Sequence, residues 1–119
     1  MDEPLAGTDP LVVNFDRAGA TLRVVVGGEL DFDVAEAFFD LVASQAVDNG
    51  LQQVTLDLSR LTFMDCGGVA ALVRLRLAVR ANGCGFAIAN PRPIVRRVLA
   101  VTGQLGLMRE LAESLEETT

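Results

Sequence analysis

The sequence predicts an α/β fold: a mainly parallel mixed β-sheet of four or five strands, opened by an antiparallel hairpin and covered by three or four helices. Two short runs rich in β-branched residues come first, and strand-like and helix-like segments alternate after them. The length of 119 residues suits one domain, and a hydrophobic fraction of 50% beside 22% charged residues is typical of a packed core.

The first half of the chain predicts an arm, a hairpin and a helix. The polar, proline-containing residues 1–10 are expected to form a flexible arm before a single domain of residues 11–119. Residues 11–15 and 21–26 predict two antiparallel strands joined by a glycine-containing loop. Asp33, with Glu36 three residues later, predicts the cap of a first helix that runs to about Asn49.

The second half predicts strands that alternate with helices. Strands are expected at residues 53–58 and 86–89, with a second helix from Asp65 to Asn82 and Gly83, whose glycine suits a left-handed cap. A proline-containing loop at residues 90–93 starts a third helix, which the pair Thr102-Gly103 ends. A short strand around Leu107 and a final amphipathic helical turn are predicted after it.

Composition excludes several classes of function. A net charge of -6 argues against binding to nucleic-acid phosphates. The chain has no His, and all ten basic residues are Arg, which removes histidine-activated nucleophiles, histidine-ligated zinc and lysine Schiff bases. A hydrolase with paired carboxylates is the enzymatic alternative that remains. We expect a binding protein and no enzyme, with no catalytic residue, no cofactor and no metal.

The sequence predicts a cytoplasmic protein without membrane insertion. No basic stretch leads into an apolar one at the N-terminus, and the longest apolar tract, residues 66–73, is far shorter than a bilayer-spanning helix. The helix predicted between Cys66 and Cys84 separates them by about 24 Å, whereas a disulfide needs Cα atoms within about 7 Å. Two lone thiols fit a reducing compartment, and Cys84 is expected in the core.

The loops that leave the carboxyl ends of the predicted strands hold the unusual residues, and such loops form the binding edge of open α/β sheets. We expect Asp65 to cap the second helix, while Gly67 and Gly68 let another backbone approach closely. The alternatives are that Asp33 and Asp65 serve only as helix caps and that the two glycines serve only packing. For Asp31, a contact role is favoured over that of a solvated turn residue.

Two motifs resemble a known family. Residues 28–31 read Gly-Glu-Leu-Asp, and residues 61–68 read Leu-Thr-Phe-Met-Asp-Cys-Gly-Gly. Both are similar to segments of bacterial anti-sigma-factor antagonists of the STAS family, and the resemblance spans about residues 11–111. It implies a STAS-like fold and partner switching: the unmodified antagonist binds a kinase-like anti-sigma factor, which is usually also a serine kinase, and so frees the sigma factor. Phosphorylation of a Ser or Thr ends that binding, and this acceptor position maps onto Gly67, which has no hydroxyl.

We therefore predict a partner-binding edge at the start of the second helix. Its residues are Asp31, Thr62, Asp65, Cys66, Gly67 and Gly68. Cys66 is also a candidate redox site, because a helix N-terminus favours a thiolate. Whether Thr62 or Thr102 replaces the missing acceptor is left open. The alternatives are a STAS subunit of a lipid or anion transport system and a small-molecule sensor with a pocket lined by Phe residues.

Overall fold

The structure is a computed structural model that describes residues 9–47, 50–104 and 106. Its elements are, in chain order, β1 (Val12–Ala18), β2 (Thr21–Leu30), α1 (Phe32–Gln45), β3 (Gln53–Met64), α2 (Cys66–Ala81), β4 (Gly85–Ala89) and α3 (Pro93–Val101). The four strands form one sheet in the order β1-β2-β3-β4. β1 is antiparallel to β2, and the other two pairings are parallel. The predicted α/β class and strand arrangement are confirmed.

The hairpin turn is tighter than predicted. Ala18 pairs with Thr21, so the loop contains only Gly19 and Ala20. Gly19 has a φ of 60°, the left-handed conformation that two-residue hairpin loops require. The predicted loop over residues 16–19 is therefore wrong in its extent, because this turn lets β1 pair as far as Ala18.

β2 and β3 are both longer than predicted. β2 continues to Leu30 and β3 to Met64, although the sequence suggested ends at Val26 and Leu58. The two strands continue to pair beyond the predicted ends because two register shifts accommodate the residues that interrupt the β-branched runs. One of these residues is Gly28, with a φ of 83°, where an added Cβ would lie 2.0 Å from the Pro10 carbonyl oxygen. Residues 29–30 and 62–64 thus belong to strands and not to loops.

The core lies between one face of the sheet and the helices. Val24, Leu56 and Ile88, from three neighbouring strands, are each fully buried. Helices α1 and α2 pack against each other, and both start at the edge where β2 and β3 end. Cys84 is buried in the same core, as predicted, and both cysteines are free thiols.

The helix ends agree with the sequence at two of three places. Gly83 and Gly103 have φ values of 83° and 77°, which confirms the predicted ends of α2 and α3. α1 ends at Gln45 and not near Asn49, because the chain turns at the buried Ala46. The predicted strand around Leu107 and the final helical turn lie outside the described residues, as do residues 1–8 of the predicted arm.

Over the described ranges, none of the helices combines the length and the hydropathy that crossing a lipid bilayer requires.

Candidate functional site

Asp31 is the cap of α1. Its Oδ1 accepts hydrogen bonds from the backbone N–H groups of Asp33 (3.0 Å) and Val34 (3.3 Å). The prediction that Asp33 caps this helix is wrong, because β2 continues to Leu30 and Asp31 is the extended residue between strand and helix. Asp33 lies in the first turn of α1 and is exposed.

Asp65 joins the first turns of two helices. As predicted, it caps α2: its Oδ1 accepts from the Gly68 N–H at 3.0 Å. Its other carboxylate oxygen accepts from the N–H of Phe32, the first residue of α1, at 3.1 Å. The backbone N–H of Asp65 donates to the Leu30 carbonyl oxygen at 3.3 Å. One side chain therefore fixes the starts of α1 and α2 relative to each other.

Gly67 and Gly68 lie where the backbone has no room for a side chain. A Cβ at Gly67 would lie 2.7 Å from the Cα of Phe32, and one at Gly68 would lie 2.4 Å from the Leu30 carbonyl oxygen. Contacts this short force the backbone to move. Neither position therefore accepts a side chain in this arrangement of the helix starts without such a movement.

An open groove of about 390 Å³ runs between the first turns of the two helices. We call it the α1–α2 groove; it is lined by Phe32, Asp33, Ala35, Glu36, Gly67, Ala70, Ala71 and Arg74. At its rim, Phe32 is 76% exposed. The guanidinium of Arg74 stacks 4.2 Å from the centre of the Phe39 ring.

The predicted site residues are only partly brought together. Asp31, Asp65, Gly67 and Gly68 meet at the starts of α1 and α2, and Cys66 is exposed at the first position of α2. Oxidation of the Cys66 thiol stays a prediction. Thr62 is separate, because it is a half-buried residue of β3 outside the groove lining. Its hydroxyl donates to the Gly28 carbonyl oxygen at 3.0 Å and lies 3.2 Å from an Asp9 carboxylate oxygen.

Sequence reasoning missed Phe32 and Glu36. The available signal was a large apolar residue directly after the aspartate that ends the Gly-Glu-Leu-Asp motif. Such a residue opens a helix at the binding edge of the sheet, where the first turn faces solvent. A helix that starts after a cap at Asp33 leaves Phe32 before the helix, and the sequence then gives no reason to expect the exposure of this residue.

An ion pair between a buried carboxylate and an exposed guanidinium links β2 and β3. The carboxylate of Asp57 is bonded to the guanidinium of Arg23, and its Oδ1 accepts from the Ser59 N–H at 2.9 Å. Burial by itself raises the pKa of Asp57, but the Ser59 N–H, the Ser59 hydroxyl and Arg23 together outweigh it and hold the pKa below its ordinary value. The carboxylate is therefore ionised near neutral pH.

This fold, a four-stranded mixed sheet with two helices starting together over an Asp-Cys-Gly-Gly segment, defines a small α/β module with its candidate site at one sheet edge. The chain belongs to the STAS domain family, whose model matches residues 13–118. This confirms the resemblance stated from the two sequence motifs.

Solved structures of known proteins share the fold. The unphosphorylated form of the anti-sigma factor antagonist SpoIIAA superposes with a TM-score of 0.71 at 20% identity, covering 89% of this chain and 97% of that one. An anti-sigma factor antagonist from Mycobacterium paratuberculosis gives 0.74 at 22% identity, covering 87% of each chain. The murine anion transporter Slc26a9 gives 0.65 at 22% identity, covering 72% of this chain and 14% of that one.

Proposed function

We propose that this chain is a cytoplasmic, non-enzymatic regulator: an anti-sigma-factor antagonist that binds a kinase-like anti-sigma factor and so frees a sigma factor. The observation that carries the proposal is the exposed Phe32 beside the α1–α2 groove, directly after the Gly-Glu-Leu-Asp segment that resembles an antagonist motif. Isolated exposed apolar residues are ordinary, but an aromatic ring at the rim of a groove is typical of a protein-binding surface. The function requires no cofactor.

We further propose that binding is not ended by phosphorylation at the usual position. Gly67 has no hydroxyl, and the backbone of Phe32 occupies the space that a side chain there would need. The Thr62 and Thr102 hydroxyls donate to backbone carbonyl oxygens, which disfavours both as replacement acceptors. The antagonist would then be permanently competent to bind.

A binding experiment tests the function. The protein is incubated with each purified kinase-like anti-sigma factor of the source organism, with ATP and Mg²⁺, and complexes are isolated by pull-down. Mass spectrometry then detects phosphate. We expect the wild type to bind one of these proteins and to stay unphosphorylated. Binding to none of them would contradict the proposal.

Two variants test whether phosphorylation requires a hydroxyl at residue 67 or accepts a hydroxyl at the neighbouring residue. In Gly67→Ser the hydroxyl lies at the acceptor position, whereas in Cys66→Ser, the matched control, it lies at the exposed neighbouring residue. We expect phosphorylation and release only for Gly67→Ser, provided that circular dichroism shows it folded. Phosphate on wild type or Cys66→Ser would contradict an acceptor-free site.

The likeness to part of the anion transporter Slc26a9 favours one second candidate, a STAS subunit of a transport system. In that case the protein would bind a transporter component and none of the anti-sigma factors. The sensor alternative has less support, because only one of the six Phe residues lines the α1–α2 groove, while Phe38 and Phe86 are buried in the core.

A further inference from the structure

Phe32 is presented to solvent by a fixed backbone. Its N–H is bonded to Asp65, and its Cα lies against Gly67, yet 76% of the residue is exposed. Exposing a large aromatic ring forgoes the stabilisation that burial would give. An aromatic side chain has only two rotatable bonds and loses little conformational entropy on binding, and a fixed backbone lowers that cost further, which suits an anchor in a protein interface.

The α1–α2 groove beside Phe32 has a floor of small residues. Ala35, Ala70 and Ala71 line it together with Gly67. Without long side chains at these positions, the backbone of a partner segment can approach both helices closely. The groove is open and shallow, and this shape suits a segment of another protein.

Carboxylates outnumber cations in the lining of the groove, which favours a basic segment. Its lining holds the carboxylates of Asp33 and Glu36, and within the described residues neither is ion-paired. The one cation of the lining, Arg74, stacks on Phe39. The groove therefore offers two carboxylates to a partner, on a chain whose net charge is -6.

We propose that Phe32 is the anchor of the partner interface, and that the α1–α2 groove takes a basic segment of the partner protein. The ring of Phe32 enters an apolar depression of the partner, and Arg or Lys side chains beside it pair with Asp33 and Glu36. This inference rests on the proposed function. It adds the residues that supply affinity and the chemistry of the surface that they recognise.

Substitution of the anchor tests the apolar part. Wild type, Phe32→Ala and Leu77→Ala are titrated calorimetrically with each purified kinase-like anti-sigma factor. Leu77 is the matched control, because it is 62% exposed on α2 but does not line the groove. We expect Phe32→Ala to weaken binding about tenfold or more, and Leu77→Ala to leave it unchanged. Thermal unfolding verifies that each variant is folded.

Removal of the carboxylates tests the charged part. The double variant Asp33→Asn/Glu36→Gln should bind more weakly and lose most of the salt dependence that the wild type shows between about 50 and 300 mM salt. Asp40→Asn, on the exposed surface of α1 outside the groove lining, is the control and should keep that dependence.

The outcomes distinguish the two proposals. If the wild type binds none of the anti-sigma factors, the proposed function fails and this inference fails with it. If the wild type binds and Phe32→Ala binds equally well, the function stands and the anchor is wrong. If Phe32→Ala binds more weakly but the double variant Asp33→Asn/Glu36→Gln binds as tightly as the wild type, with the same salt dependence, the proposal of a basic partner segment is wrong.

Discussion

At the residue scale, Asp65 uses its two carboxylate oxygens on two different helices. One accepts from Gly68 at the start of α2, and the other accepts from Phe32 at the start of α1. Capping of its own helix could be predicted from its place before an apolar helical segment. The bond to Phe32 could not, because it joins residues 33 positions apart in the sequence and depends on how the sheet brings the two helix starts together.

Asp65→Ala should lower the free energy of unfolding by about 1–2 kcal/mol, because two backbone N–H groups lose their acceptor. Asp65→Asn keeps one carbonyl acceptor and should lose less. Urea denaturation measures both, with Asp40→Ala as the control on the exposed surface of α1. Equal stability of Asp65→Ala and the control would show that neither of the two hydrogen bonds to Asp65 stabilises the fold.

Gly67→Ala should destabilise the fold by about 1–3 kcal/mol, since the new methyl group would meet the Phe32 backbone at 2.7 Å. Cys66→Ala is the matched control, because that exposed side chain has space around it. Thermal unfolding of the two variants compares them. A Gly67→Ala protein as stable as the wild type would mean that α1 moves aside at little cost.

The two motifs predict part of the candidate site. They identified Asp31, Asp65, Gly67 and Gly68, which the structure brings together at the helix starts. For Thr62 they predict a loop, whereas the residue lies within β3 at the register shift between Leu61 and Phe63. Strand ends at a register shift depend on the partner strand, and the sequence of one strand does not contain that information.

At the element scale, β2 and β3 are linked by the pair of Arg23 and Asp57. Because the pKa of Asp57 is lower in the folded protein than in the unfolded chain, its ionisation stabilises the fold above the unfolded value, near 3.9. That contribution is lost as the pH falls through the lower, folded pKa. The pair itself was not predicted, because an aspartate in an apolar strand gives no sign of its cross-strand partner.

Asp57→Asn should be less stable than the wild type at neutral pH, and the difference should shrink as the pH falls from about 5 to about 2. Urea denaturation across this range measures the free energy of unfolding of both proteins. Glu36→Gln is the control, since the described residues give that exposed carboxylate no ion pair. A difference that stays constant with pH would show that ionisation of Asp57 contributes no stability.

At the scale of the whole molecule, one hydrophobic cluster joins β2, β3 and β4 to all three described helices. This much of the fold was predictable, because apolar periodicity and the order of the elements determine which faces are buried. A single cluster implies that the domain unfolds in one cooperative transition. Cys84 lies inside this cluster and Cys66 lies outside it. The chemical reactivity of the Cys84 thiol therefore depends on the opening of the core, whereas that of the Cys66 thiol does not.

A thiol reagent should therefore modify one cysteine at once and the second only when the domain unfolds. We expect Cys66 to react in native buffer, and Cys84 to react along the same urea transition that circular dichroism records. The Cys66→Ser variant isolates the signal of Cys84. Reaction of Cys84 well below the unfolding midpoint would show that β4 opens before the rest of the core.

The close approach of Gly67 to Phe32 also has an evolutionary consequence. Any side chain at residue 67 meets the backbone of the helix that holds Phe32, so a mutation that introduces a hydroxyl there lowers stability unless a second change moves α1. Because the two residues are in contact, the effects of the two changes on stability are expected to be non-additive. Under the proposed function, such epistasis would slow the appearance of a phosphorylation site at residue 67, and regulation would change more readily through the partner or through the rates of synthesis and degradation.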